Sequence, residues 1–297
     1  MKKEKIVTRF LNLLTDFGFH RIFGTESSKS FLISFLNEII KEEGLITEII
    51  YLPTKQHGFT EKERKAVFDI FCKNDKGEYF IVEMQRAKQP YFRDRSLYYA
   101  SLPIQKQAPR GVWDFELKAV YVVAVLNFVI FKEFKDDKDY VVEQVSLIRE
   151  RTKTPFSQKI KLIFVELPKF KKTEKELKTN FDIWLYSLKN MHSLKERPAT
   201  VQGEIFEELY QIVETNNLTE EEMKEYKKSV LEYRDVRDSI ILAREEALEE
   251  GIQKGIRKGR KEEKISFLQK CLQKNLPVED IVFLTGFSKE NVLKYMN

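Results

Sequence analysis

The 297-residue chain is predicted to be an α/β protein, with a mixed-sheet core followed by an all-helical C-terminal region. Helix-like and strand-like segments alternate as far as about residue 167, which is typical of a layered α/β domain. One run, LKAVYVVAVLNFVIF, is apolar on both faces, as a central strand is. From Glu174 onward every segment has helical periodicity. These patterns predict a core at 1–170, a helical region at 171–264 and a small helical tail at 265–297.

The elements of the core follow in order along the chain. A helix is predicted over SSKSFLISFLNEIIKEEG, because its apolar residues form one stripe and a glycine ends it. LITEIIYLP is predicted to be a strand that stops at Pro53. Residues 64–72 and 79–86 form a hairpin around the turn KNDKG. The next helix is expected to begin at Pro90 and to kink or break near Pro103. Two more strands, YVVEQVSLIRE and KIKLIFVEL, follow the central one.

Composition excludes several classes of protein. The hydrophobic content of 42% is typical of a globular chain. No apolar run is long enough to span a bilayer, and the first residues are too charged for a signal peptide. The two cysteines, Cys72 and Cys271, provide no disulfide framework, and the three histidines lack zinc-ligand spacing. We therefore expect a cytoplasmic protein without a membrane anchor. The net charge of +5 comes from residues 1–110, which favours a polyanionic partner.

The hairpin carries three polar residues on defined faces. Side chains alternate along a strand, so Asp69 is expected to share a face with Lys65, Val67 and Phe71, opposite Ala66, Phe68, Ile70 and Cys72. Glu83 and Gln85 share a face with Ile81. Two carboxylates on adjacent strands can bind Mg²⁺, with Mn²⁺ as the alternative ion, and such a site supports phosphodiester hydrolysis. The alternative is a pair of edge-strand carboxylates that bind Arg64 or Arg86.

Several segments together resemble a known family. They are LTDFGFHRIFG, ISFLNEII, ERKAVFDIFCKNDKGEYFIVEMQRAKQPYFRDRSLYYAS and GVWDFELKAVYVVAVL, within residues 8–260. This pattern is similar to that of the Rpn-type recombination-promoting nucleases and transposases of the PD-(D/E)xK superfamily. The resemblance implies a restriction-endonuclease-like core and metal-dependent DNA cleavage, with Asp69 and Glu83 as metal ligands. It also matches Asp16 to an acidic residue that completes the metal shell, whereas the local sequence favours Asp16 as a helix cap.

Gln85 stands where the superfamily usually has a lysine. By resemblance, glutamine is usual in this subfamily, and its amide can orient the attacking water by hydrogen bonds. The alternative is that the Gln85 amide forms hydrogen bonds with unpaired backbone groups at a sheet edge. A cation can also come from elsewhere, and the candidates are Lys65, on the expected face of Asp69, and Lys88, just after the second strand.

A basic and aromatic cluster begins one residue after Gln85. Its cations are predicted to bind the DNA backbone, because guanidinium and ammonium groups bind phosphates while aromatic rings stack on bases. They are Arg86, Lys88, Arg93 and Arg95. The alternative is an amphipathic helix with a solvated basic face.

The sequence thus predicts a metal-dependent DNA endonuclease linked to recombination or mobile elements. One alternative is a catalytically silent DNA-binding or regulatory protein that keeps the nuclease fold. The other is a nuclease that acts on RNA, since no group that reads a 2′-hydroxyl is recognisable.

The C-terminal arm, AREEALEEGIQKGIRKGRKEEK at 243–264, has a small residue at every fourth position. It is either a flexible tether or a helix that associates with a second copy of the chain. Its acidic half precedes its basic half, which favours a helix and an antiparallel partner. The tail LPVEDIVFLTGFSKENVLKYM resembles a small helix-turn-helix unit.

Overall fold

A computed structural model describes residues 8–41, 44–56, 66–108, 111, 113–134 and 140–295 of the chain. The strands within these residues are β1 (Ile49–Tyr51), β2 (Lys55–Gln56), β3 (Ala66–Val67), β4 (Ile70–Asn74), β5 (Tyr79–Gln85), β6 (Val120–Leu126), β7 (Val142–Ile148) and β8 (Pro155–Glu166). The described helices are α1 (Asp16–Phe23), α2 (Lys29–Ile39), α3 (Phe92–Lys106), α4 (Asn180–Asn190), α5 (Glu204–Ile212), α6 (Glu220–Gln273), α7 (Val278–Thr285) and α8 (Lys289–Lys294).

Six of these strands form one mixed sheet in the order β1-β4-β5-β6-β8-β7. The predicted hairpin is confirmed, because β4 and β5 pair antiparallel. β5, β6 and β8 run parallel to one another, and α3 makes the crossover from β5 to β6. All residues of β6 are buried, as expected for a central strand. β2 and β3 pair separately as a small two-stranded sheet.

The main sheet separates two hydrophobic clusters. On one face, β4, β5, β6 and β8 pack with α1, α2, α4 and α5 around Trp184. On the other face, the same strands pack with α3 through Phe92, Ala100 and Leu102. The predicted fold class is therefore confirmed as a layered α/β core with a helical C-terminal region.

Two local predictions about the core are wrong. Residues 64–72 were expected to form one alternating strand, but Phe68 and Asp69 lie in a break between β3 and β4. Phe68 consequently packs on the α3 face together with Phe71, rather than opposite it with Ile70. Its ring meets that of Phe71 at 5.3 Å, so aromatic packing outweighs regular alternation here. The second difference is at Pro103, where the predicted break is wrong because α3 continues through this residue to Lys106; the alternative, a kink at Pro103, stays a prediction.

The chain divides into two compact units, Met1–Arg237 and Asp238–Asn297. In the second unit, the end of α6 packs with α7 and α8 around Leu268, Cys271, Ile281 and Val292. The predicted helical arm is confirmed, since α6 runs unbroken through its glycines. The predicted three-part division stays a prediction. No helix in the described ranges has both the length and the apolar character needed to cross a membrane.

Candidate active site

The hairpin brings Asp69 and Glu83 together. β4 and β5 pair Ile70 with Val82, and this register places Asp69, just before β4, opposite Glu83. The Asp69 backbone N–H donates to Glu83 Oε1 at 3.2 Å, and the Met84 N–H donates to Asp69 Oδ2 at 2.8 Å. Each carboxylate therefore accepts a hydrogen bond from the backbone of the opposite segment, and the pairing of the two segments positions both groups.

Both carboxyl groups lie in surroundings that disfavour their charged forms. Glu83 is only 4% exposed. Burial, followed by the charge of Asp69, raises the pKa of Glu83 to about 8. Asp69 as a whole is exposed, but partial desolvation of its carboxyl group raises its pKa above the ordinary value, while the Met84 N–H opposes this change. A positive charge between these oxygens would relieve both effects.

Gln85 lies beside Glu83 on the same face of β5. Its Nε2 donates to Glu83 Oε2 at 3.3 Å, and its side chain is half-buried. β5 pairs with β4 on one side and β6 on the other, so it is an interior strand. The interpretation of Glu83 as an edge-strand carboxylate is therefore wrong. The ladder between β4 and β5 ends at Ile70 and Val82, so the sheet-edge interpretation of Gln85 stays a prediction. The orientation of water by Gln85 stays a prediction.

Asp16 is the first residue of α1 and does not cap it. The cap is Thr15, whose backbone is extended and whose hydroxyl accepts from the Gly18 N–H at 3.0 Å. The interpretation of Asp16 as the cap is therefore wrong, because the neighbouring hydroxyl occupies that position. Asp16 instead forms an ion pair with Arg86, whose side chain is 13% exposed. Of the two alternative partners predicted for Asp69 and Glu83, Arg86 is thus bound to Asp16, and Arg64 lies outside the described residues.

A cavity of about 220 Å³ opens beside Asp69. Asp16 and His20 of α1 line it, together with Phe19, Phe68 and Met84. The sequence analysis did not identify His20 as a site residue, because it tested histidines only for the spacing of zinc ligands. It could not show that His20 lines the same cavity as Asp69, which lies far away in the sequence. The periodicity of α1 was the available signal, since residues 16, 19 and 20 share one helical face.

The predicted cations have different surroundings. Lys65 lies outside the described residues, and Lys88 is exposed. Arg93 donates to Glu133 Oε1 at 2.6 Å and to the Ile130 carbonyl at 3.1 Å, which attaches it to the segment after β6. Arg95 is half-buried on α3. Their binding to DNA stays a prediction.

The donor set at the hairpin fits a hard divalent cation. Within the described ranges, no three His, Cys, Asp or Glu side chains form a cluster that would hold a metal by themselves. Mg²⁺ requires less than this, because it is usually held by one or two carboxylates together with water and substrate oxygens. Asp69 and Glu83 would provide those carboxylates.

A mixed sheet with helices on both faces and the pattern Asp69, then Glu83-Met84-Gln85, across one hairpin define a PD-(D/E)XK nuclease-like protein. A family model described as PD-(D/E)XK nuclease family transposase matches residues 13–243, and the chain belongs to this family. The predicted resemblance is thereby confirmed. Nucleases of this kind generally use divalent metal ions. No curated protein and no solved structure matches the chain.

Proposed function

We propose that this protein is a Mg²⁺-dependent endodeoxyribonuclease that hydrolyses phosphodiester bonds and acts in DNA recombination or on mobile elements. The observation that carries the proposal is the carboxylate pair formed by buried Glu83 and by Asp69, which is exposed and lines the cavity. Their proximity makes the doubly charged state unfavourable in the free protein. A site of this kind gains most from a divalent cation.

The residues of the chain have separate roles in this proposal. Asp69 and Glu83 would hold the ion. Gln85 donates one N–H to Glu83, and its amide oxygen and second N–H orient a water molecule. The bound ion lowers the pKa of a water molecule and offsets charge on the phosphate. Asp16 lines the cavity beside Asp69, and its ion pair with Arg86 connects α1 to the residue that follows β5.

Cleavage of supercoiled plasmid tests the proposal directly. The wild-type protein is expected to nick or linearise DNA with Mg²⁺ or Mn²⁺ and to lose this activity in EDTA. Asp69→Asn and Glu83→Gln should abolish cleavage while circular dichroism shows a folded protein. Glu48→Gln, which changes an exposed carboxylate before β1, should cleave like the wild type.

A catalytically silent DNA-binding protein is the second candidate, and Gln85 in place of lysine favours it. Binding of DNA without cleavage in either metal would support this candidate and contradict the nuclease proposal. Cleavage of single-stranded RNA in preference to DNA would instead assign an RNA substrate.

A further inference from the structure

One guanidinium group on α3 is held between two aromatic rings. Arg95 lies 5.0 Å from the ring centre of Phe92 and 5.5 Å from that of Tyr99. These contacts and the adjoining helix fix its plane, which is the arrangement that suits bidentate recognition of an anion. The spacing of the three residues along the sequence brings them to one side of the helix.

Two nitrogens of this guanidinium have no hydrogen-bond partner in the part of the chain that the structure describes. Nη1 donates to Gln89 Oε1 at 2.5 Å, whereas Nε and Nη2 are buried and lack a hydrogen-bond partner among the described residues. Buried charged donors are costly to leave unpaired. Arg93 differs, because its guanidinium is bonded to Glu133 and to the Ile130 carbonyl.

The fold places this group beside the carboxylate pair. Glu83 alternates with Val82 and Met84 along β5, so it points to the face of the sheet that α3 covers. Tyr99, which stacks on Arg95, also meets the ring of Phe68 at 5.0 Å, and Phe68 directly precedes Asp69. The positive charge of Arg95 also opposes the rise in the pKa of both carboxyl groups.

We propose that Arg95 is a catalytic residue that binds the scissile phosphate and replaces the cation missing at Gln85. This inference rests on the proposed nuclease function. A water molecule gives one proton to solvent as its oxygen forms a bond to phosphorus, one ester P–O bond breaks, and the leaving oxygen takes a proton from solvent. Arg95 keeps its own protons throughout, since a guanidinium does not ionise at these pH values. Its Nε and Nη2 donate to a non-bridging phosphate oxygen and stabilise the charge that develops there.

Variants at Arg95 test the assignment, and Lys106, an exposed cation on the same helix, provides the control. Arg95→Lys keeps the charge but loses the planar pair of donors, and Arg95→Gln loses the charge. Each should lower kcat for plasmid cleavage at saturating Mg²⁺, by about 100-fold or more for the glutamine variant. Lys106→Gln should leave kcat unchanged. Affinity for DNA, measured with Ca²⁺ in place of Mg²⁺, should change by less than about 3-fold in both Arg95 variants.

A counter-ion that only balances Asp69 and Glu83 would behave differently. In that case the Arg95 variants would bind Mg²⁺ more weakly, but their kcat would return to the wild-type value at saturating metal, and the proposal would be overturned. If the thermal midpoint of Arg95→Gln lies well below that of the wild type, the test rests on Arg95→Lys alone. A wild-type kcat in Arg95→Lys would then also overturn the proposal. A wild-type protein that cleaves nothing defeats the nuclease proposal itself, and the assignment of Arg95 falls with it.

Discussion

Replacement of Glu83 by glutamine should stabilise the metal-free protein at neutral and alkaline pH. The change removes the buried charge but keeps an oxygen that can accept the Asp69 N–H bond. The pKa of Glu83 rises from 4.5 to about 8 on folding. A carboxyl with a raised pKa binds its proton more tightly in the folded state, so its contribution to stability is present at low pH. That contribution is lost as the pH rises from about 4.5 through about 8.

The magnitude follows from the pKa values. Each pKa unit corresponds to about 1.4 kcal/mol, so ionisation of Glu83 costs the folded protein as much as about 5 kcal/mol. That value is a ceiling, because local rearrangement and entry of water lower the cost. For a domain of this size, about 1 kcal/mol shifts the thermal midpoint by about 2 °C. We therefore expect Glu83→Gln to raise the midpoint by up to about 10 °C at pH 9.

Thermal unfolding in EDTA between pH 5 and pH 9 measures this effect. The wild type and Glu83→Gln should have nearly equal midpoints at pH 5 and should diverge as the pH rises. Added Mg²⁺ should stabilise the wild type more than the variant, because a ligand stabilises only the state that binds it. Glu48→Gln, as the exposed control, should follow the wild type throughout. A variant that is less stable than the wild type at pH 9, or a difference that does not depend on pH, would refute the reasoning.

The remaining predictions concern other parts of the molecule. Gln85→Lys should change the free energy of unfolding by less than about 1 kcal/mol, because the residue is half-buried and an ammonium can also donate to Glu83; chemical denaturation measures this. Arg93→Gln should weaken DNA binding and reduce the slope of log K against log salt by about 0.9 if it contacts one phosphate, while an unchanged slope would place it off the DNA. Trp184→Ala should cost about 3–5 kcal/mol on denaturation, since this fully buried ring packs on Phe23 and its neighbours. Finally, light scattering should show self-association of the full chain at micromolar concentration but not of a chain cut after Leu242, and two monomers would make the arm a tether.

The sequence predicted those elements whose character depends on local pattern. β6 is apolar at every position, and α2 has one apolar stripe, so both were predictable from periodicity. The carboxylates of the hairpin were also placed together, because a short turn fixes the pairing of two strands. The break at Phe68 was not predictable, since it depends on rings contributed by α3 and β4.

The surroundings of the site required the tertiary structure. Asp16 and Arg86 are distant in the sequence, and only the packing of α1 against the end of β5 makes them an ion pair. From the sequence, Arg95 was predicted only to contact the DNA backbone. Charge and spacing do not reveal which guanidinium has donors without a hydrogen-bond partner among the described residues, and the structure shows this for Arg95. Arg93 differs from Arg95 because its guanidinium pairs with Glu133. This partner lies in the segment after β6, so the difference cannot be seen in the sequence around the two arginines.

The hydrogen bonds that Asp69 and Glu83 accept across the hairpin have a consequence for folding. Each carboxylate binds an amide of the opposite segment, so the site exists only when β4 and β5 pair in one register. A slip of one residue would turn Glu83 towards the opposite face of the sheet. The turn that sets this register includes Gly77, whose φ of 81° suits glycine. A substitution there could therefore produce a soluble, compact protein that has lost its chemistry, although no residue of the site itself has changed.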